Sequence, residues 1–267
     1  MSVSYVILLA IIQGLTEFLP ISSSGHLALT PRLLDAADQG IVMDVALHVG
    51  TLLAILVYYR RDVFGMAASV IHWRDETRVF ERRLALFIAL SSVPAVIVGF
   101  LLHHFDPDGI RDIRVIIVTT LFFGVVMGLA DYFMPRVKQL GDIKLRHAFL
   151  IGVAQCFALI PGTSRSGVTM TAARLMGFAR VDAARFSFLL GIPAIAGAGT
   201  LGMLELLESN DSELMFDAGL GLVCSFIAGL GAIHFMIRWL SRYGLMPFAV
   251  YRVILGCALI VYTVYQV

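Results

Sequence analysis

Residues 13–25 read QGLTEFLPISSSG, and residues 155–167 read QCFALIPGTSRSG. Both segments place proline, glycine and hydroxyl side chains inside an apolar stretch, and they add Glu17 to the first segment and Arg165 to the second. An arginine or a carboxylate costs about 2.5 to 3.5 kcal/mol at membrane depth, so such residues normally face a polar cavity, a partner or a substrate. We therefore predict that these two segments form the working site.

The chain around these segments is typical of a protein that crosses a membrane several times. Of its 267 residues, 59% are hydrophobic and 15% are charged, and the mean hydropathy is +0.87. Helices are expected in the apolar runs because backbone groups in lipid must be hydrogen-bonded within the segment. The runs long enough to cross a bilayer are 43–59, 84–104, 113–133, 184–208, 216–237 and 247–267. The net charge of +1 gives no nucleic-acid signature, so no nucleic-acid partner is expected.

Two more apolar regions, 3–34 and 147–177, are each interrupted near the middle by proline, glycine and serine. Irregular backbone is tolerated at membrane depth where protein or a water-filled cavity surrounds it. We predict that each region is a re-entrant helical hairpin.

An offset of 142 positions superposes the second hairpin on the first without a gap and matches Gln155 to Gln13. Three crossings separate the hairpins, and an odd number makes the second hairpin enter from the opposite face. The predicted fold is an all-α polytopic membrane protein with six transmembrane helices and two re-entrant hairpins. The single integral membrane domain, 1–267, would consist of inverted-topology repeats over 1–140 and 141–267, with the two breaks meeting near the midplane.

Basic residues cluster in alternate loops and predict the orientation. The loops after the first, third and fifth crossings carry Arg60, Arg61, Arg74, Arg78, Arg82, Arg83, Arg136, Lys138, Lys144, Arg146, Arg238 and Arg242. The opposite loop over 205–217 has five acidic residues and no lysine or arginine. Because short cytoplasmic loops carry an excess of lysine and arginine, the first set is expected inside and both termini outside.

The first break combines an amide, a carboxylate and three serines. Gln13 and Glu17 are one helical turn apart and project from the same face, a spacing that suits a metal ion or a proton transfer. A helix-end polar pair bonded to the neighbouring loop is the alternative. Ser22, Ser23 and Ser24 precede a helix expected to start near His26, where hydroxyls and free N–H groups suit an anion. Helix capping alone would need only one of these serines.

The second break places Arg165 among Thr163, Ser164 and Ser166. The planar fork of arginine matches phosphate oxygens, so phosphate is the expected ligand. The alternative is an ion pair between Arg165 and Glu17 that only stabilises two packed hairpins. Among the histidines, His26 adds a group that exchanges protons near neutral pH. The pattern assigns no role to His48.

The segments QGLTEFLPISSSGH (13–26) and PGTSRSG (161–167) closely resemble the two signature motifs of the undecaprenyl-diphosphate phosphatase family, which is linked to bacitracin resistance. The likeness extends over most of the chain and includes PFAVYR (247–252). The first signature of the family begins with glutamate or glutamine, and this chain has Gln13. Glu17 is therefore the only carboxylate of the motif and the only expected metal ligand within it.

The resemblance implies hydrolysis of the C55 isoprenyl diphosphate to its monophosphate, which recycles the carrier lipid for cell-wall synthesis in the bacterial plasma membrane, with the active site facing outward. It also implies that Ser23, or a water in its place, attacks the terminal phosphorus. Glu17 and His26 would transfer protons, and Arg165 would hold the diphosphate. The other expected substrate-binding residues are Gln13, Ser22, Ser24, Gly25, Thr163, Ser164, Ser166 and Gly167.

The sequence and the resemblance also predict a cofactor, partners and an alternative function. A divalent cation, Mg²⁺ or Ca²⁺, is expected to bridge Glu17 and the diphosphate. The expected partners are membrane lipids around the helices and, as a further candidate, a second copy of the chain in a homodimer. A lipid-phosphate flippase or an anion transporter is the alternative function, because inverted repeats with broken helices are typical of secondary transporters.

Overall fold

The computed structural model describes residues 1–105, 112–209 and 211–265. Within these residues the chain forms eleven α-helices. The helices are α1 (Val3–Thr16), α2 (Ser23–Leu34), α3 (Gly40–Tyr58), α4 (Arg60–Ile71), α5 (Val79–Phe105), α6 (Ile113–Phe133), α7 (Leu145–Cys156), α8 (Arg165–Leu175), α9 (Arg180–Ser209), α10 (Ser212–Arg242) and α11 (Met246–Tyr265). The prediction of an all-α fold is confirmed for the described part of the chain.

Five described helices are long and apolar enough to cross a membrane, namely α3, α6, α10, α11 and a span over Glu76–Leu102 that contains most of α5. Their outer faces carry large exposed apolar side chains, such as Phe100, Val118 and Ile254. Apolar side chains exposed on this scale are at home in lipid rather than in water. The chain is therefore a multi-pass membrane protein.

The remaining predicted crossing, 184–208, lies within α9, a helix of 30 residues. The side chains of residue 198 and of residues 201–209 lie outside the described part of the structure, as do those of residues 103–105 at the end of the run 84–104. Residues 266–267, at the end of the run 247–267, also fall outside it. A sixth crossing and the re-entrant nature of the hairpins stay predictions.

Small residues let α1, α3 and α10 pack closely. A Cβ atom built on Gly14 would lie 2.5 Å from the Cβ of Ala228 in α10, and one built on Gly50 would overlap the Ser225 hydroxyl. The Ser225 hydroxyl donates a hydrogen bond of 2.9 Å to the Leu47 carbonyl across the same contact. Small and hydroxyl side chains are the usual residues of close helix contacts in membranes. This packing fixes the position of α1, the helix that ends at Thr16, directly before Glu17.

The two breaks have the same backbone conformation at matching positions. Ser22 precedes α2 with φ of 76°, and Ser164 precedes α8 with φ of 71°. Positive φ is uncommon for a residue with a side chain, so this shared feature is a specific likeness. The start of α2 at Ser23 corrects the expectation of a helix beginning near His26. The positive φ of Ser22 turns the chain directly into the helix, with Ser22 itself as the cap.

Candidate active site

Glu17 lies at the centre of the site, immediately after α1. Its side chain is buried, with 5% of the residue surface exposed. Its Oε2 atom accepts hydrogen bonds from the Gln13 amide at 3.1 Å and from the Ser23 hydroxyl at 2.8 Å. The expected pairing of Gln13 with Glu17 is therefore present, and the break brings Ser23 to the same oxygen.

Arg165 reaches this carboxylate from the other hairpin. Its Nη2 donates to Glu17 Oε1 at 3.0 Å, and its Nη1 donates to the Ser187 carbonyl at 2.9 Å. The Ser166 hydroxyl adds a bond of 3.1 Å to the Glu17 carbonyl. Residues about 150 positions apart in the chain thus meet at one carboxylate, and the two predicted breaks form a single site.

Glycine at position 191 in α9 makes room for the guanidinium of Arg165. A Cβ atom built there would lie 2.5 Å from Arg165 Nη1 and 2.7 Å from its Cζ. Any side chain at this position would displace the guanidinium from Glu17. Gly162 precedes Arg165 with φ of +86°, a conformation that glycine adopts without strain.

Each break uses its first serine in the same way. The Ser22 hydroxyl accepts from the Gly25 N–H at 3.3 Å, and the Ser164 hydroxyl accepts from the Gly167 N–H at 3.1 Å. These two serines cap α2 and α8, so their hydroxyls are already engaged. The serines two positions further on have different environments. Ser24 is exposed and lines the cavity described below, whereas Ser166 is buried against the first break.

His26 faces away from the carboxylate network. Its Nδ1 lies 2.7 Å from the Ser22 carbonyl, and its Nε2 lies 2.6 Å from the hydroxyl of Tyr251 in α11. Because a carbonyl only accepts, Nδ1 carries the proton, and Nε2 of the neutral ring accepts from Tyr251. Within the part of the chain that the structure describes, no hydrogen bond joins either ring nitrogen to Glu17 or Ser23. The structure brings Gln13, Glu17, Ser23, Arg165 and Ser166 into one network and places His26 beside it.

His48 takes the position next to the carboxylate instead. Its Nε2 lies 3.7 Å from Glu17 Oε2, and its Nδ1 bonds the Asp44 carbonyl at 2.7 Å. Sequence reasoning left this histidine without a role. A histidine inside an apolar crossing is costly for the same reason as Arg165, and that signal could have placed it at the site.

Several polar atoms at the site are buried and hydrogen-bond to no other described residue. They are Gln13 Oε1, Thr163 Oγ1 and Arg165 Nε. Buried polar atoms in proteins are nearly always paired, so such a cluster indicates where a ligand would bind. Two of the three are donors suited to phosphate oxygens, and Gln13 Oε1 is an amide oxygen suited to a hard cation.

The donor set fits a divalent cation only together with the substrate. Among the residues that the structure describes, no group of three or more histidine, cysteine, aspartate or glutamate side chains could hold a metal ion. Glu17 and Gln13 Oε1 supply oxygen ligands of the kind that Mg²⁺ and Ca²⁺ prefer, and phosphate oxygens would have to complete the shell. Glu17 would then be shared between the cation and Arg165.

A cavity of about 700 Å³ adjoins the site. Its wall includes Ser24 and His48, together with Arg32, Asp35 and Asp38 from the end of α2 and the following turn. Apolar residues of α5 and α6, and Pro161 of the second break, complete the wall. The cavity therefore extends from polar residues near the start of α3 to Ser24 of the first break.

Sequence reasoning missed the two site residues in α11. Tyr251 bonds His26 as described above, and Arg252 is fully buried beside both breaks. PFAVYR (247–252) was noticed only as part of the family resemblance. A charged residue inside an apolar run was the available signal.

Comparisons with known proteins agree with the motifs. The family model described as "Bacitracin resistance protein BacA" matches residues 6–258. A protein of Alteromonas mediterranea is 43% identical over 261 residues, covering 97% of this chain and 98% of its own. One of Alcanivorax borkumensis is 47% identical over 258 residues, covering 95% and 96%. One of Maricaulis maris is 45% identical over 268 residues, covering 99% and 100%. All three relatives carry the name undecaprenyl-diphosphatase.

Proposed function

Because the chain belongs to the bacitracin resistance protein BacA family, we propose that it hydrolyses undecaprenyl diphosphate to undecaprenyl phosphate and inorganic phosphate. The carrier lipid would thereby be recycled for cell-wall synthesis, and bacitracin resistance would follow. The observation that carries the proposal is the convergence of Ser23 and Arg165 on the buried carboxylate of Glu17. The Ser23 hydroxyl, as nucleophile, and the Arg165 guanidinium, as phosphate-binding group, thus both lie within hydrogen-bond distance of the Glu17 carboxylate, the base.

The chemical step is assigned to Ser23 with Glu17 as general base. The Ser23 hydroxyl attacks the terminal phosphorus while its proton passes to Glu17 Oε2, a transfer for which 2.8 Å is a suitable distance. The bond from that phosphorus to the bridging oxygen breaks, and undecaprenyl phosphate leaves with the bonding electrons. Glu17 gives that proton to the departing undecaprenyl phosphate and becomes a carboxylate again. Water then attacks the phosphoserine and passes a proton to Glu17, which donates it to the Ser23 oxygen as the serine–phosphorus bond breaks, so that inorganic phosphate and free Ser23 are released.

The second break is assigned to binding and charge stabilisation. Arg165 Nε and Thr163 Oγ1 supply donors that no described residue uses. The N-termini of α2 and α8 both lie at the breaks and add partial positive charge. Preorganised donors aimed at the developing phosphoryl charge supply most of the catalysis in phosphoryl transfer.

A divalent cation is part of the proposal. Glu17 and Gln13 Oε1 would hold it together with the diphosphate, and it would supply neutralisation of phosphate charge when bound. Chelator sensitivity of phosphate release would support this assignment.

We further propose the finer topology predicted from the sequence, with inverted repeats over 1–140 and 141–267 and an outward-facing active site. The matching conformations of Ser22 and Ser164 and the meeting of both breaks at Glu17 support it. The cavity is lined by polar residues of the α2–α3 turn, which lies at the end of α3 opposite to the arginine-rich start of α4. With the positive-inside rule, that side is periplasmic.

The partners follow from the same geometry. The isoprenyl tail is assigned to the lipid between apolar helix faces, with the head group in the polar cavity. Among the described residues, no contact favours the alternative of a lipid-phosphate flippase or anion transporter. A homodimer stays a prediction that native mass spectrometry can test.

The test is release of inorganic phosphate from C55 diphosphate by purified protein in detergent, with and without chelator. Detergent removes the transmembrane gradient, so release by the purified chain would identify an enzyme. Absence of release, combined with movement of lipid between vesicle leaflets, would favour the transporter.

A further inference from the structure

Arg252 is a buried charge that the proposed chemistry does not use. It lies in α11 with 0% of its surface exposed. Burial of an unpaired charge is costly, so such a residue needs strong compensation. Among the residues that the structure describes, it forms no ion pair with a carboxylate.

Backbone carbonyls provide that compensation, and they come from three separate segments. Nη1 donates to the Pro20 carbonyl of the first break at 3.4 Å and to the Thr163 carbonyl of the second at 2.8 Å. Nη2 donates to the Gly162 carbonyl at 2.9 Å. The remaining bonds, from Nη2 at 3.3 Å and Nε at 3.2 Å, go to carbonyls of Thr119 and Thr120 in α6. One side chain therefore links both breaks to each other and to α6.

Another buried arginine provides a contrast. Arg174 is also 0% exposed, but it pairs with Asp131 at 3.2 Å and bonds carbonyls that follow α6 and α8, away from the breaks. Arg174 thus stabilises the segments after α6 and α8 through an ordinary buried ion pair and hydrogen bonds to carbonyls. Arg252, in contrast, bonds carbonyls of Pro20, Gly162 and Thr163, which lie within three positions of Glu17 or Arg165 along the chain.

We infer that Arg252 is a positioning residue of the active site: it holds the two breaks at a fixed separation and so sets Ser23 and Glu17 against Arg165. Its nitrogens are occupied by carbonyls, which distinguishes it from a phosphate ligand such as Arg165. The inference rests on the proposed function for its kinetic consequence, whereas its structural consequence is independent of activity.

Close packing around Arg252 supports a fixed position. A Cβ atom built on Gly167 would lie 3.0 Å from Arg252 Nη1, and one built on Gly124 would lie 2.9 Å from its Cβ. The two glycines thus leave room for the Arg252 side chain in a single position. A methyl group at either position would move the guanidinium without removing its charge.

The test compares Arg252→Lys with Arg174→Lys. A single ammonium has three donors and no planar fork, so it reaches at most three of the five carbonyls. We expect Arg252→Lys to lower kcat about 10- to 100-fold and to change KM less than about threefold, because the groups that act together in the transition state are displaced. Arg174→Lys, in the fraction that folds, should keep kcat within about threefold of the parent chain.

Hydrogen exchange separates this role from the proposed function. Amides of both breaks, such as Thr163, Gly167 and Gly25, should exchange faster in Arg252→Lys, while amides within α3 and α10 stay protected. This result is expected even if wild type releases no phosphate, in which case only the proposed function fails. Faster exchange in one break alone or in neither would overturn the positioning role, as would a raised KM with unchanged kcat.

A second variant covers the case in which Arg252→Lys does not fold. Gly124→Ala keeps the guanidinium but crowds its Cβ at 2.9 Å. We expect the same faster exchange at both breaks and a smaller fall in kcat. Wild-type exchange and wild-type kcat in this variant would count against the inference.

Discussion

At the scale of single residues, Glu17 carries the greatest number of roles. It accepts from Gln13, Ser23 and Arg165, the last of which comes from the other hairpin. Glu17→Gln keeps the shape of the side chain but removes the charge and the proton acceptor. We expect kcat for phosphate release to fall about 10²- to 10⁴-fold, the usual contribution of a general base. Full activity of this variant would remove Glu17 from the mechanism.

Among the three serines of the first break, the structure favours Ser23 as the nucleophile. Its hydroxyl donates to Glu17 at 2.8 Å, whereas Ser22 caps α2 and Ser24 lies on the cavity wall. We expect Ser23→Ala to lose at least about 10³-fold in kcat and Ser24→Ala to lose about tenfold or less. Acid quenching of the wild type during turnover should trap a phosphoserine.

A water nucleophile is the contrasting outcome for Ser23. Ser23→Ala would then keep a substantial fraction of the wild-type rate, because Glu17 would still activate the water. No phosphoserine would be trapped in either protein. That pair of results would reassign the attacking group and leave Glu17 as the base.

At the scale of helices, two glycine substitutions in α9 test whether activity requires Arg165 to reach Glu17. Gly191→Ala puts a methyl group 2.5 Å from Arg165 Nη1, whereas Gly197→Ala on the same helix meets no atom within 4 Å. We expect Gly191→Ala to lower kcat/KM about 10- to 100-fold and Gly197→Ala to change it less than about twofold. Alanine is the better helix former by about 1 kcal/mol, so a loss in the first variant would not come from a weaker helix.

The helices and the location of the breaks could be predicted because lipid makes polar residues and unpaired backbone groups expensive. The positive φ of Ser22 and Ser164 could not be predicted, since serine rarely adopts it without tertiary support. The partners of Arg252 were also hidden. They are backbone carbonyls up to 232 positions away, and a backbone carbonyl leaves no mark in a side-chain pattern.

The two histidines show the limit of spacing arguments. His26 lies two residues after the serine triplet and was expected, with Glu17, to transfer protons; in the structure its ring bonds Tyr251. His48 is 31 positions from Glu17 and reaches it only because α3 packs against α1. Closeness along the chain suggested a site role for His26, whereas helix packing places His48 beside the Glu17 carboxylate.

At the scale of the whole molecule, orientation in the membrane is the property to test. Ala37 is exposed in the turn between α2 and α3, next to residues that line the cavity, and Ser241 is exposed at the end of α10. In a chain whose three native cysteines are replaced, we expect a membrane-impermeant maleimide to label Ala37→Cys in spheroplasts and to label Ser241→Cys only after lysis. The reverse pattern would invert the topology and place the active site inside.

The central claim is that the two breaks form one catalytic site through Glu17 and Arg165. A double-mutant cycle on kcat/KM with Glu17→Gln, Arg165→Gln and the double variant tests it most directly. We predict that each single variant loses nearly as much activity as the double variant, since both groups serve the same transition state. Losses that simply add, or a single variant with near wild-type activity, would contradict the account.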